Sequence, residues 1–413
     1  MSIETPREYL EGLFRAAINA ADPMTRLPRF LPPRPKGRLV VIGAGKASAR
    51  MAETLEKHYG PCEGLVITRY GYERPTNGIE IVSAAHPVPD QAGVDATRRM
   101  LNLVSDLTSD DLVIALISGG GSALLCAPIE GITLADKIDL TSQLLACGAP
   151  ISEINTVRQS LSLVKGGQLA AACAPARVVS LLISDVPGDD PAFIASGPTV
   201  PSKTTAQDAL AILKKWDLNV SQNILHLMKT PLVNAKPSIN CTTHIIAAPS
   251  QSLQAAADIS GNVDVKILGD AIEGEARDVA RAQVELALQQ QRDGLKRPCL
   301  ILSGGECTVT RTGSGTGGPN AEYVLAAAVA LNGADGVHVL AGDTDGVDGA
   351  DEVAGAYAGP KTLTLARALG IDPLGALQAN DSHNFFNRLG AQVITGPTLT
   401  NVNDFRAILV NHP

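Results

Sequence analysis

Gly43, Gly45 and Lys46 fall where an apolar run gives way to a helical pattern, in "VVIGAGKASARMAETLE" (residues 40–56). Two glycines permit a tight turn, a helix start presents unpaired N–H groups, and Lys46 adds a full positive charge. That combination suits a phosphate. It approaches the dinucleotide-binding fingerprint, but Ser48 stands where the third glycine belongs. The P-loop pattern fails too, with Val40 at its first glycine and Ala47 after the lysine. A lysine in the first turn opposes the helix dipole, so a ligand is a reason for it to be there. An exposed lysine beside a packing turn is the alternative.

A second loop, "SGGGSALL" at 118–125, carries Ser118, Gly119, Gly120, Gly121 and Ser122. Its glycines free the backbone to approach an anion, and Ser122 is placed to cap the next helix. G-x-S-x-G is absent, which favours a backbone cradle over a serine nucleophile. A plain strand-to-helix turn is the alternative. Two further loops are acidic: Asp185, Asp189 and Asp190 in "ISDVPGDDP", and Asp343, Asp345 and Asp348 in "AGDTDGVDG". Crowded carboxylates repel unless a cation or a shared proton lies between them, and Mg²⁺ with phosphate fits better than a calcium loop. Solvated turn aspartates are the alternative. In residues 150–170 the helical period sets Ile154, Val157, Leu161 and Val164 on one face and Asn155, Arg158, Ser162 and Lys165 on another, with Ser152 as cap. A cationic stripe suits a carboxylate or phosphate. It also describes a solvated helix face.

These residues need a scaffold, and the chain offers alternating strand and helix patterns. Apolar runs predict strands in "GRLVVIGAG", "EGLVITR", "IEIVSAAHP", "DLVIALISGGG" and "RVVSLLISDVPG". Others follow in "THIIAAP", "VDVKILGD", "PCLILSGGE", "GVHVLAGDTDG", "AQVITGP" and "FRAILV". Continuous Val/Ile/Leu runs are the mark of strands buried on both faces, and helical stretches between them predict an α/β fold with mainly parallel sheets. The least periodic stretch, 228–240, predicts a boundary, giving domains 1–236 and 237–413. "ALISGGGSALL" and "LILSGGECTVT" echo each other, as if each half ended a central strand in one kind of glycine turn.

The 413 residues exceed what one core usually holds. Only 3% are aromatic, so the core must be aliphatic. A net charge of −8 argues against nucleic acid or an anionic membrane as partner. Seven dispersed cysteines without a C-x-x-C pair suggest reduced thiols and a cytoplasmic protein. The N-terminus reads as an amphipathic helix carrying Glu4, Arg7, Glu8 and Glu11, not as a signal peptide, and no run approaches the ~20 apolar residues of a membrane span.

Taken in order, "GAGKAS", "SGGGSALL", "INTVRQSLSLVKGG", "ISDVPGDDPAFIASGPT", "LSGGECTV", "GGPNAE", "AGDTDGVDG" and "TGPTLTNVNDFRAIL" resemble the MOFRL-type glycerate kinases. The resemblance spans nearly the whole chain. It implies two αβα-layered domains: a Rossmann-like one with a mainly parallel sheet, and a C-terminal one with a mixed sheet containing the MOFRL region, about 298–410. It also implies an active site in the cleft between them, and ATP- and Mg²⁺-dependent phosphorylation of D-glycerate to 2-phosphoglycerate. Lys46 and Asp189 would be catalytic. Gly43, Gly45, Ser118 to Ser122, Ser303, Gly304, Gly305, Glu306 and Asn320 would bind nucleotide or phosphate, Asn155, Arg158 and Lys165 the substrate, and Asp185, Asp343 and Asp345 the metal. A homodimer is compatible with this. One departure stands out: many members have G-G-R-N-x-E where this chain has Pro319 in "GGPNAE", so Arg311, Arg158 or Lys165 must supply the cation if one is needed. The Pro-containing branch is associated with tartrate and glyoxylate breakdown and has been labelled hydroxypyruvate reductase, an NAD(P)H-dependent activity that is the alternative.

Overall fold

The computed structural model describes residues 3–229, 239–349 and 351–411. The boundary expected at 236/237 lies outside them. The chain separates into two compact units.

The first unit holds Pro23–Ser184 and Asp189–Ile246. Its sheet comprises β1 (Leu39–Ala44), β2 (Glu63–Arg69), β3 (Ile79–Ala84), β4 (Leu112–Ile117), β5 (Arg177–Ile183) and β6 (Cys241–Ala247). They lie in the order β3-β2-β1-β4-β5-β6, and β1 to β5 pair in parallel. Every residue of β1 and of β4 is buried, as their unbroken apolar runs predict. The chain winds one way from β1 and the other way from β4. The carboxyl ends of these neighbours therefore form the switch point at which open α/β sheets bind ligands. The loops leaving those two ends are "GAGKAS" and "SGGGS". Four helices, Leu134–Ala146, Ile151–Ser160, Ala206–Lys215 and Gln222–Lys229, share a smaller core of Leu140, Leu144, Ile154, Val157, Leu213 and Met228.

The second unit holds the segment ending at Asp22, Asp185–Gly188, and the chain from Ala247 onward. Its strands are β7 (Asp264–Ile267), β8 (Gly274–Glu275), β9 (Cys299–Gly305), β10 (Cys307–Thr308), β11 (Val337–Asp343), β12 (Gly355–Ala358), β13 (Gln392–Val393) and β14 (Asp404–Val410). Six of them make a mixed sheet in the order β13-β12-β11-β14-β9-β7, in which β7 and β9 run parallel and the remaining pairs antiparallel; β8 pairs with β10 apart from it. Strand alternation divides the core. Leu300, Leu302, Leu340, Phe405, Ala407 and Leu409 face one layer, while Cys299, Ile301, Val337, Val339, Ile408 and Val410 face the other. β12 was not anticipated, and the strand expected in "AQVITGP" shrinks to two residues.

Helix Pro6–Ala20 covers the first of those layers. Its amphipathic stripe of Leu10, Leu13, Phe14 and Ala17 is buried on β9, β11 and β14. The sequence placed this segment with the unit that follows it directly in the chain, but the stripe packs on the C-terminal sheet. Phe14 lies 5.6 Å from Phe405, centroid to centroid, and Gly342 makes room for it: a Cβ there would sit 2.9 Å from Phe14 Cζ. Phe14→Ala should destabilise this unit by ~3–5 kcal/mol. In urea melts the transition of the C-terminal unit should move to lower denaturant while that of the other unit stays.

Candidate active site

At the switch point the two loops touch through backbone. Lys46 N–H donates to the Gly119 carbonyl at 2.8 Å, and Ala47 N–H to Ser118 Oγ at 3.0 Å. Gly43 is needed because a Cβ there would overlap the Leu116 carbonyl, and Gly45 because its φ of 146° and its contact with Ser118 exclude a side chain. The helix begins at Ser48, not at the lysine. Lys46 thus precedes the first turn, on the connection itself. Ser48 Oγ donates to the Leu116 carbonyl at 2.9 Å, which ties the helix start to β4.

Gly120, in the left-handed region at φ 78°, has Lys46 on one side and His86 on the other: an added Cβ would lie 3.2 Å from Lys46 Cγ and 3.1 Å from His86 Nε2. The N–H groups of Gly119 and Gly120 take no acceptor among the described residues. Two such N–H groups beside a lysine make an anion cradle. The short helix Gly121–Leu124 has Gly120 as its N-cap, so Ser122 does not cap it. Ser122 Oγ instead meets Ser196 Oγ at 2.6 Å, and Ser196 donates to Asn155 Oδ1 at 2.9 Å.

The stripe expected across 150–170 is broken. The helix runs only from Ile151 to Ser160, and Pro150, not Ser152, precedes its first turn. Lys165 lies beyond it, in a turn where Ser162 Oγ accepts its N–H at 3.2 Å and Gly166 and Gly167 take positive φ. Lys165 still meets the serines: its Nζ donates to the Ser122 carbonyl at 2.7 Å and lies 3.3 Å from Ser122 Oγ. Burial pushes the Lys165 amine well below the ordinary lysine value, with Lys137 and Arg158 adding to the effect and Cys126 opposing it. Lys137, also buried, is lowered by desolvation and has Cys126 Sγ as its contact at 3.4 Å. Asp189, at φ 56°, keeps Oδ1 buried without a hydrogen-bond partner among the described residues. His86, Lys137 and Ser196 were missed from sequence. Lys137 left a trace there, sharing the buried face of its helix with Leu140 and Leu144.

The candidates in the second unit are tied into the fold. Ser303 Oγ donates to Gln283 Oε1 at 3.2 Å, and buried Arg406 donates to the Gly304 and Gly305 carbonyls at 3.2 and 2.9 Å and to Asp404 at 3.0 Å. Glu306 is exposed. Asn320, at the start of helix Pro319–Leu331, donates through Nδ2 to Asp404 at 2.6 Å. Pro319 occupies the first turn of that helix, where a missing N–H costs nothing. Arg311 closes its own loop on the Gly315 carbonyl at 2.9 Å. Asp343 and Asp345 each accept the N–H two residues on, at 2.9 and 2.8 Å, folding the acidic loop into consecutive turns. Asp185 belongs to the same unit. Among the described residues no three His, Cys, Asp or Glu side chains are grouped to hold a metal. Mg²⁺ commonly takes one or two carboxylates and completes its shell with phosphate and water, so the hard oxygens of this loop suit it. Buried Asp348 accepts the N–H groups of Asn320 and Ala321 at 2.9 and 2.8 Å.

An α/β switch point with a glycine loop beside a lysine is an arrangement able to bind a small anion or a phosphate group. Residues 9–229 match the domain of unknown function DUF4147, and residues 299–404 match the MOFRL family. The chain is 47% identical, over 98% of its length and 94% of the relative's, to an Agrobacterium vitis protein with the provisional name hydroxypyruvate reductase. It is 39% identical to a D-glycerate 2-kinase of Thermotoga maritima, over 97% of each chain. A crystal structure of a Thermotoga maritima glycerate kinase superposes with TM-score 0.89 at 37% identity, covering 99% of this chain and 100% of that one. This chain belongs to the glycerate kinase family that carries the MOFRL domain.

Burial raises the Asp348 carboxyl to about 6, while His383 and the two N–H groups pull it back. An unfolded aspartate titrates near ~3.9. The folded state therefore binds the proton more tightly, so this group's contribution is complete below the unfolded value and is lost as pH rises through about 6. Chemical denaturation from pH 4 to pH 7 should reveal that decline in the second unit, and Asp348→Asn should flatten it.

Proposed function

We propose that the chain transfers the γ-phosphoryl group of ATP to the 2-hydroxyl of D-glycerate, with Mg²⁺. The observation that carries this reading is Lys46 set against Gly120, beside the N–H groups of Gly119 and Gly120, at the switch point of a parallel sheet. Phosphoryl transfer needs positioned positive charge around the phosphoryl oxygens more than covalent chemistry from the protein. The relatives named for glycerate phosphorylation support the choice of acceptor.

In this mechanism the loop from Ser118 to Ser122, with Gly43 and Gly45 behind it, cradles phosphate, and Lys46 offsets charge gathering on the transferred group. Asn155, Arg158 and Lys165 hold the carboxylate. Asp189 orients and deprotonates the acceptor hydroxyl, which would satisfy its partnerless Oδ1. The hydroxyl oxygen bonds to the γ-phosphorus, the bond from that phosphorus to the β–γ bridging oxygen breaks, and ADP leaves with the electron pair. The proton passes to Asp189. Mg²⁺, when bound, neutralises phosphate oxygens, and Asp185, Asp343 and Asp345 are the residues that would hold it directly or through water.

The reductase alternative requires a nicotinamide cofactor on the β1 turn. The third glycine of that fingerprint serves close packing, and here its place is taken by Ser48, whose hydroxyl is committed to β4. A paired assay separates the two. Purified protein is given D-glycerate, ATP and Mg²⁺ with ADP release followed, and separately hydroxypyruvate with NADH or NADPH. ADP release that depends on glycerate, without cofactor oxidation, is expected; the reverse pattern would sink the kinase reading. Lys46→Met should lower kcat at least ~100-fold while the melting temperature holds, because the charge acts on the transition state and the side chain is not part of the core. Near wild-type kcat in that variant would remove Lys46 from the mechanism.

A further inference from the structure

One group of basic side chains in the first unit has no carboxylate among its electrostatic neighbours. Lys137 on helix Leu134–Ala146, Arg158 on helix Ile151–Ser160 and Lys165 in the following turn influence one another electrostatically, and no carboxylate contributes at any of the three. Lys165 is fully buried and Lys137 is 6% exposed. Arg158, partly exposed, has no hydrogen bond or ion pair among the described residues. A guanidinium cannot shed its charge, so this one awaits an anion.

The hydrogen bonds around Lys165 carry a second message. Ser196 gives its proton to Asn155, so the short Ser122–Ser196 contact requires Ser122 to donate to Ser196. Lys165 Nζ must then donate to both Ser122 oxygens. Those are its two acceptors among the described residues, and they match the two N–H bonds of a neutral amine. An ammonium would have a third N–H with nowhere to go. A buried ammonium without an acceptor for its third N–H is costly, and burial favours the neutral amine in the same direction.

We propose that Lys137, Arg158 and Lys165 form one oxyanion receptor for the substrate's carboxylate, and that its arrival is coupled to uptake of a proton from solvent onto the Lys165 amine. The proposal rests on the kinase reading for the identity of the ligand. Arg158 supplies the permanent charge, the new ammonium directs its third N–H at the carboxylate, and Lys137 acts as a positioning residue whose neighbouring amine keeps Lys165 unprotonated beforehand. The groups facing Lys165 are Lys137, Arg158 and Cys126. Burial already depresses Lys165, and a bound anion reverses that effect, so binding should weaken as pH rises.

The test is calorimetric titration of D-glycerate into the full-length protein at pH 8, alone and with ADP and Mg²⁺ present, in two buffers of different ionisation enthalpy. The heats should differ by an amount corresponding to uptake of a large fraction of ~1 proton per site. Lys165→Met should abolish that difference. Lys137→Met should reduce it, because one of the charges opposing the proton on Lys165 is then gone while burial remains. Inorganic phosphate titrated in the same buffers separates the sources: uptake with phosphate and none with glycerate would assign the receptor to a phosphoryl group and overturn the proposal. Glycerate-dependent ADP release, with glycerate binding that moves no proton, would overturn it and leave the kinase reading standing. Absent glycerate-dependent ADP release counts against the kinase reading instead.

Discussion

The first unit depends on how closely two buried strands can approach at their carboxyl ends. β1 and β4 are neighbours in a parallel sheet, and past their ends the chain must turn away without separating. Gly43 lies against the Leu116 carbonyl and Gly45 against Ser118, with no space for a Cβ at either. That proximity places the Lys46 N–H on Gly119 and the Lys46 stem beside Gly120. A side chain at position 45 would push the two loops apart, and the lysine would lose its place on the turn. The site is therefore a consequence of backbone packing before it is a set of side chains.

Both units pair buried ions, as Glu53 with Arg50, Lys57 and Arg74 in the first, but among the described residues the first also holds buried basic side chains without a carboxylate partner. In the second, Arg406 is bonded to Asp404 and two carbonyls, Arg277 pairs with buried Glu322 at 2.6 Å, and Asp348 is met by two backbone N–H groups. These contacts pin the loop before Pro319 and the strand ends around it, and they are what stability requires of ions out of water. Among the described residues of the first unit, Arg158 has no hydrogen bond or ion pair, Lys137 has a thiol as its contact, and Lys165 has two serine oxygens. Leaving charge unmet in a fold is unfavourable, and evolution retains it where a ligand completes the arrangement.

Much of this was legible in sequence where one physical signal dominated. β1 and β4 announced themselves because burial on both faces leaves no polar residue in the run. Helix Pro6–Ala20 was legible as a helix, but its apolar stripe specifies only that a face is buried, not on which sheet. Lys165 was assigned to a helical stripe because the period continued on paper. The helix already ends at Ser160 and Ser162 bridges Pro128, so Lys165 lies past it, ahead of a turn through Gly166 and Gly167. His86 was illegible, since nothing local joins the end of "VSAAHP" to Gly120 across the sheet. Lys137 was available to a stricter reading: a lysine in phase with Leu140 and Leu144 on a buried stripe is an anomaly that asks for a partner.

That anomaly bears on the family's missing arginine. With Pro319 in its place, the first turn of helix Pro319–Leu331 carries no cation, and Arg311 nearby in sequence spends a guanidinium N–H on Gly315. A proline there is compatible with the backbone and gives up nothing in helix geometry. What it gives up is charge. The Lys137, Arg158 and Lys165 group, by contrast, holds more positive charge than its surroundings can satisfy. A small hydroxy acid offers one anionic group and one reacting hydroxyl. On the proposed reading, recognition of the first and activation of the second are divided between that group and Asp189, whose Oδ1 is buried without a hydrogen-bond partner among the described residues.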